Sequence, residues 1–206
     1  EIWRCRCFIN NNHGVHAMTT TITGAAITTA TVAATTSVTT DLIQYDTAKN
    51  EAGGFTKQQV VQVVNVQSGA SATGTTVIPD DDTIPQNTEG DEYLTLAITP
   101  KSASNILVIE AVMNLSNSSA ATISYALFQD STAGALQSGL YYGTEANDPS
   151  ALPLTHYMVS GTASATTFKI RAGLSNSNTT TFNGFGGNRK RGGVLMSSIT
   201  ITEYTP

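Results

Sequence analysis

The sequence predicts an all-β protein: an antiparallel, jelly-roll-like β-sandwich preceded by an extended N-terminal arm. Three observations carry this. Threonine fills roughly one position in six, and its branched side chain is stiff at χ1 and favours extended backbone. From Val60 onward, short apolar runs recur at intervals of about 10 to 15 residues, broken by Gly, Pro, Asn and Asp. Helical periodicity, with apolar residues at i, i+3 and i+4, is almost absent.

Residues 1–17 (EIWRCRCFINNNHGVHA) differ in composition from the rest of the chain. They hold the one Trp, both Cys and two of the three His, and no threonine. Met18 therefore reads as the natural start, with 1–17 a leader, an upstream-extended reading frame or an appended stretch. They lack the basic start and continuous apolar core of a secretory signal. Cys5-x-Cys7 followed by His13 and His16 offers zinc-type ligands. Structural zinc sites, however, want two to four residues between paired cysteines, and a bond between cysteines two apart would strain a small ring.

Residues 18–56 read as the arm. Ile22, Ile27, Val32 and Val38 are spread irregularly through a Thr/Ala-rich stretch. Such a segment buries too little apolar surface alone to offset its ordering entropy. It therefore reads as anchored on neighbours, either copies of itself or another protein. Asp41–Asp46 reads as a short helix or strand and Gly53-Gly54 as a hinge.

Residues 57–206 read as the sandwich. Strands are expected at Val60–Gln67, Tyr93–Thr99, Asn105–Met113, Thr122–Gln129, Gly139–Gly143, Leu154–Ser160, Thr166–Ala172, Thr179–Asn183 and Gly193–Tyr204. Asn105–Met113 is apolar on both faces, as a central strand would be. In the last strand Ile199 and Ile201 share one face, opposite Ser198, Thr200 and Thr202. A segment of this length suffices for one hydrophobic core.

Charge narrows the function. Charged residues make up 12% of the chain, against about 25% in ordinary domains. Net charge is -5, the opposite of a nucleic-acid binder's basic footprint, so no nucleic-acid partner is expected. No apolar run approaches the roughly 20 residues of a membrane helix, so membrane insertion is not expected either. Nothing resembles a Gly-x-Ser-x-Gly elbow, and Asn183–Gly187 lies between strands, not ahead of a helix. The reading is a non-enzyme without cofactor or metal.

Three constellations remain. Asp80-Asp81-Asp82 with Asp91 and Glu92 lacks the spacing of a calcium loop and reads as a solvated acidic loop. Arg189, Lys190 and Arg191, between glycine pairs, would suit the phosphates or carboxylates of a bacterial envelope. The alternatives are a charged hairpin tip or an intersubunit ion pair. Tyr141 and Tyr142, with His156 and Tyr157, would furnish a stacking platform for sugar; strand tyrosines at sandwich edges and subunit seams are the competing reading.

Several stretches carry a resemblance: Lys57–Asn65 (KQQVVQVVN), Thr83–Tyr93 (TIPQNTEGDEY), Ala97–Leu107 (AITPKSASNIL), Ala126–Asp130 (ALFQD), Phe182–Gly184 and Ser198–Glu203 (SITITE). Together, residues 57–204 resemble the β-rich C-terminal knob of tailed-bacteriophage fibre and decoration proteins. The resemblance implies a virion location and a homotrimer with its arm docked on other virion proteins. Its motifs specify a virion-protein family and not a ligand. The reading is a tail or baseplate fibre whose knob attaches to the host surface, with host-surface polysaccharide as the candidate partner. A head fibre or capsid decoration protein, and a free-standing carbohydrate-binding module, are the alternatives. Residues 1–17 match nothing in this pattern.

Overall fold

The computed structural model describes residues 2–11, 14–23 and 58–206, in two units, 1–50 and 51–206. In the first unit, strands β1 (Ile2–Asn11) and β2 (Gly14–Thr23) form an antiparallel hairpin with Cys7 opposite Met18 and Trp3 opposite Ile22. The hairpin runs continuously through position 17/18. Ile27, Val32, Val38, the 41–46 segment and Gly53-Gly54 lie outside the described residues.

The second unit is a jelly roll. Its strands are β3 (Val60–Ser68), β4 (Ala72–Gly74), β5 (Asp91–Ile98), β6 (Ile106–Asn117), β7 (Ala121–Gln129), β8 (Gln137–Gly143), β9 (Pro149–Val159), β10 (Thr166–Leu174), β11 (Thr180–Phe182) and β14 (Ser197–Tyr204), with a small hairpin, β12 (Gly184–Phe185) and β13 (Asn188–Arg189). β11 pairs with β6 at Leu115–Asn117 and β14 pairs with β6 at Ile106–Val112. They are two halves of one strand line, and β3 and β4 continue each other alongside them. Counting lines, the first pairs the last, the second (β5) pairs β10, β6 pairs β9, and β7 pairs β8. This folding of a long hairpin onto itself gives a sheet ordered β3/β4, β14/β11, β6, β9 facing a sheet ordered β5, β10, β7, β8.

Strand alternation then builds the core. Leu107, Ile109, Ala111, Met113 and Leu115 of β6 point inward with Ile199, Ile201, Leu152 and Leu154, against Leu94, Ile123, Leu127, Phe168, Ile170 and Leu174 from the other sheet. The last strand begins at Ser197, not Gly193, because residues 191–193 make a 3-10 turn with Gly192 at φ 63°.

One departure from simple alternation lies in β7, where Ala121–Phe128 are all buried. Thr122, Ser124, Ala126 and Phe128 face away from the core, and the segment between β4 and β5 crosses over this strand. Ile78 N–H donates to Leu174 O (3.1 Å), Thr122 Oγ1 donates to Asp80 Oδ2 (2.8 Å), and Arg171 donates to the carbonyls of Glu89 and Gly90. Gly173 permits this approach, since a Cβ there would strike the Thr76 carbonyl.

Glu203 follows Ile199 and Ile201 onto the inward face and is fully buried. Its carboxylate accepts hydrogen bonds from Gln62 Nε2, Lys101 N and Asn105 Nδ2, pinning the 99–105 loop. Burial pushes its pKa up, but these hydrogen bonds to the charged form outweigh burial and hold it below the ordinary value.

Candidate functional site

Among the described residues, strand β8 pairs only with β7, so it borders the four-stranded sheet. Gly139 stands opposite Tyr125, whose ring folds over it; a Cβ at 139 would lie 2.5 Å from the ring. The Tyr125 hydroxyl reaches across to donate to Pro153 O (3.1 Å) on the facing sheet.

Alternation along β8 separates the two tyrosines. Tyr141 turns inward, half-buried, and its hydroxyl donates to Asp148 Oδ2 at 2.8 Å. That hydrogen bond, with burial and the nearby negative charge, raises its pKa. Tyr142 turns outward and is 62% exposed, with Leu140 on the same face 66% exposed. His156 turns inward, with Nδ1 3.2 Å from Gln137 Oε1 and its pKa lowered by burial. Tyr157 sits on the outer face of the other sheet. The four-residue platform expected from sequence is therefore not assembled. Tyr142 alone of the four stands outward on β8.

Ser138 continues the Leu140–Tyr142 face into a cleft of about 480 Å³ between β8 and the acidic loop. Asp81, Asp82, Thr83, Ile84, Leu136, Gln137 and Ser138 are among its lining residues. Asp81 accepts from Thr83 N–H (2.9 Å) and Thr83 Oγ1, which holds its carboxyl below the usual range. Asp91 is turned elsewhere, accepting from Thr76, and Glu92 lies near Lys169 (3.6 Å) and Arg171 (3.9 Å). The acidic residues thus disperse. Among the described residues no group of three or more Asp, Glu, His or Cys is placed to hold a metal.

The basic segment is a loop extruded between β11 and β14. Gly186 (φ 61°) and Gly187 (φ 73°) supply the two left-handed residues that a tight I′-like hairpin turn needs, so the turn is glycine and the charges come after it. Lys190 Nζ lies 4.1 Å from the Phe185 ring centre, a cation–π contact. Arg189 and Arg191 are exposed, and among the described residues no ion pair engages them. The loop's neck is fixed by Asn183, whose Nδ2 donates to Ser68 O (2.7 Å) and Ala70 O (2.9 Å) while Oδ1 accepts from Ser197 Oγ (2.7 Å). The two sets of expected contact residues therefore rise from different sheets.

The cleft, Leu140 and Tyr142 form one line along β8. From Ser138 to Tyr142 a strand extends about 14 Å. A saccharide presents hydroxyl edges and apolar C–H faces. Carboxylate, amide and hydroxyl groups match the edges, while Tyr142, Leu140 and Ile84 match the faces. Sequence reasoning missed Leu140, Ser138 and the cleft. Period-2 alternation about Tyr142 was the signal for the first two.

No family model matches the chain, and no curated protein matches it. Among solved structures it is similar to dimeric latent PorU from Porphyromonas gingivalis, at 8% identity and a TM-score of 0.36. The match covers 69% of this chain and 13% of that one. A likeness of this degree carries no argument about function.

Proposed function

We propose that the chain is a structural protein of a tailed-bacteriophage virion: a homotrimeric tail or baseplate fibre that docks through its N-terminal region and attaches to the host surface through its jelly roll. The resemblance of residues 57–204 supports the virion part of this reading. The attachment part is carried by one observation: the outward Leu140–Tyr142 face running into a hydroxyl- and carboxylate-lined cleft on β8. The ligand class is envelope polysaccharide, bound without chemistry. Arg189 and Arg191 add contacts for its acidic groups.

Retention of the full chain on immobilised bacterial lipopolysaccharides and capsular polysaccharides tests this. Saturable binding lost in Tyr142→Ala and in Ser138→Trp is expected; equal binding by both variants removes the β8 face from the account. Imaging of labelled particles separates the tail fibre from a capsid decoration protein, which would place many copies over the head.

A further inference from the structure

The outer face of the sheet containing β6 carries an uncharged apolar patch. Strand register places Val63, Thr202, Val108 and Tyr157 in one row across four strands. The adjoining row is Val60, Tyr204, Ile106 and Val159. Val63 is 55%, Tyr157 69% and Val159 59% exposed. The next row, Asn65, Thr200, Glu110 and Thr155, is polar.

We propose that this patch is the contact between copies of the chain. Two features of the molecule choose that occupant. The first is where the rest of the chain joins. Residues preceding the jelly roll arrive at Gln58–Val60, at the border of the patch. Gln59 is tied there to Thr205 by N–H to Oγ1 (3.0 Å), with the Thr205 N–H returned to Gln59 O (2.9 Å). Copies that share an N-terminal attachment have their entry points brought together, so the surface beside the entry meets its equivalents at high effective concentration. The second is charge. The chain carries a net -5, which opposes association of identical copies. These two rows contain no ionisable carboxylate or amine, so copies pack through them without adding like-charge repulsion at the contact. Four strands at about 4.8 Å spacing make the patch about 15 Å wide. That is the apolar centre of an interface, with the polar third row as rim; about 800 Å² per partner is needed for the whole.

The inference rests on the oligomeric part of the proposed function and names the surface responsible. Sedimentation of the full chain over a dilution series tests it, using the exposed-site variants Val63→Glu and Tyr157→Glu, with far-ultraviolet dichroism to verify the fold. A wild-type oligomer is expected, with dissociation shifted to at least tenfold higher concentration in each variant and unmoved in Leu140→Glu on the opposite sheet. If either folded variant dissociates where the wild type does, the patch is wrong while the oligomer stands. A wild type that stays monomeric overturns both, whether the face is bare or covered by the chain's own N-terminal residues. Should both variants misfold, the milder exposed-site variants Val63→Thr and Tyr157→Thr decide in the same dilution series. Dissociation shifted to higher concentration supports the contact, and dissociation where the wild type dissociates overturns it.

Discussion

The two sheets of the jelly roll treat their outer faces differently. On β7 the outward residues Thr122, Ser124, Ala126 and Phe128 are buried, and the chain's own 75–90 segment is fastened to this sheet by Thr122 to Asp80, Ile78 to Leu174 and Arg171 to Glu89 and Gly90. On β3 and β9 the outward residues Val63, Tyr157 and Val159 are left uncovered. Both faces contain apolar side chains, but among the described residues only the first has a cover built from the same unit. The lesson is that exposure of the second face is not explained by the unit's own packing.

Perturbing the covered face gives the largest effect. Phe128→Ala removes a fully buried ring and is expected to cost about 3–5 kcal/mol in urea unfolding. A loss below about 1 kcal/mol would mean the 75–90 segment is loosely attached. Gly173→Ala sharpens the point. Its Cβ collides with the Thr76 carbonyl, so about 1–3 kcal/mol should be lost, with faster proteolysis within 75–90. An unchanged cleavage rate contradicts the close approach.

Acid probes the pinned end of the barrel-like core. Glu203 has a depressed folded pKa, so its contribution is fully present above the ordinary carboxylate value and is lost as pH falls through the folded value. Glu203→Gln should cost about 1–3 kcal/mol at neutral pH, and the gap to wild type should close in acid. A gap independent of pH would show that geometry, not charge, holds the 99–105 loop. Tyr141→Phe removes the bond to Asp148 and should cost about 0.5–1.5 kcal/mol. Smallest of all, Tyr157→Thr on the uncovered face should leave the unfolding free energy of dissociated chains within about 0.5 kcal/mol.

How much of this was legible in the sequence depends on the range over which each feature is determined. Strands such as Tyr93–Thr99 and Thr122–Gln129 were readable because side-chain period is local. Glu203 could have been placed inside, two residues beyond Ile201, by the same rule. So could the opposite facing of Tyr141 and Tyr142, which adjacency in sequence made look like one platform. The cover over β7 was not readable, since 75–90 is turn-rich and its close approach depends on a glycine, Gly173, far along the chain. Nor was the extruded loop: Gly193–Tyr204 reads as one run, and only the pairing of Phe182 with Leu115 and Ser198 with Val112 shows that a strand line was interrupted.

The central claim is that the outward face of β8 binds envelope polysaccharide. Hydrogen exchange on the full chain, with and without a retained lipopolysaccharide, tests it most directly. The account predicts that added polysaccharide slows exchange in residues 80–85 and 137–143 and leaves β3 and β9 unchanged. Protection confined to β3 and β9, or none on β8 at saturating polysaccharide, would contradict it.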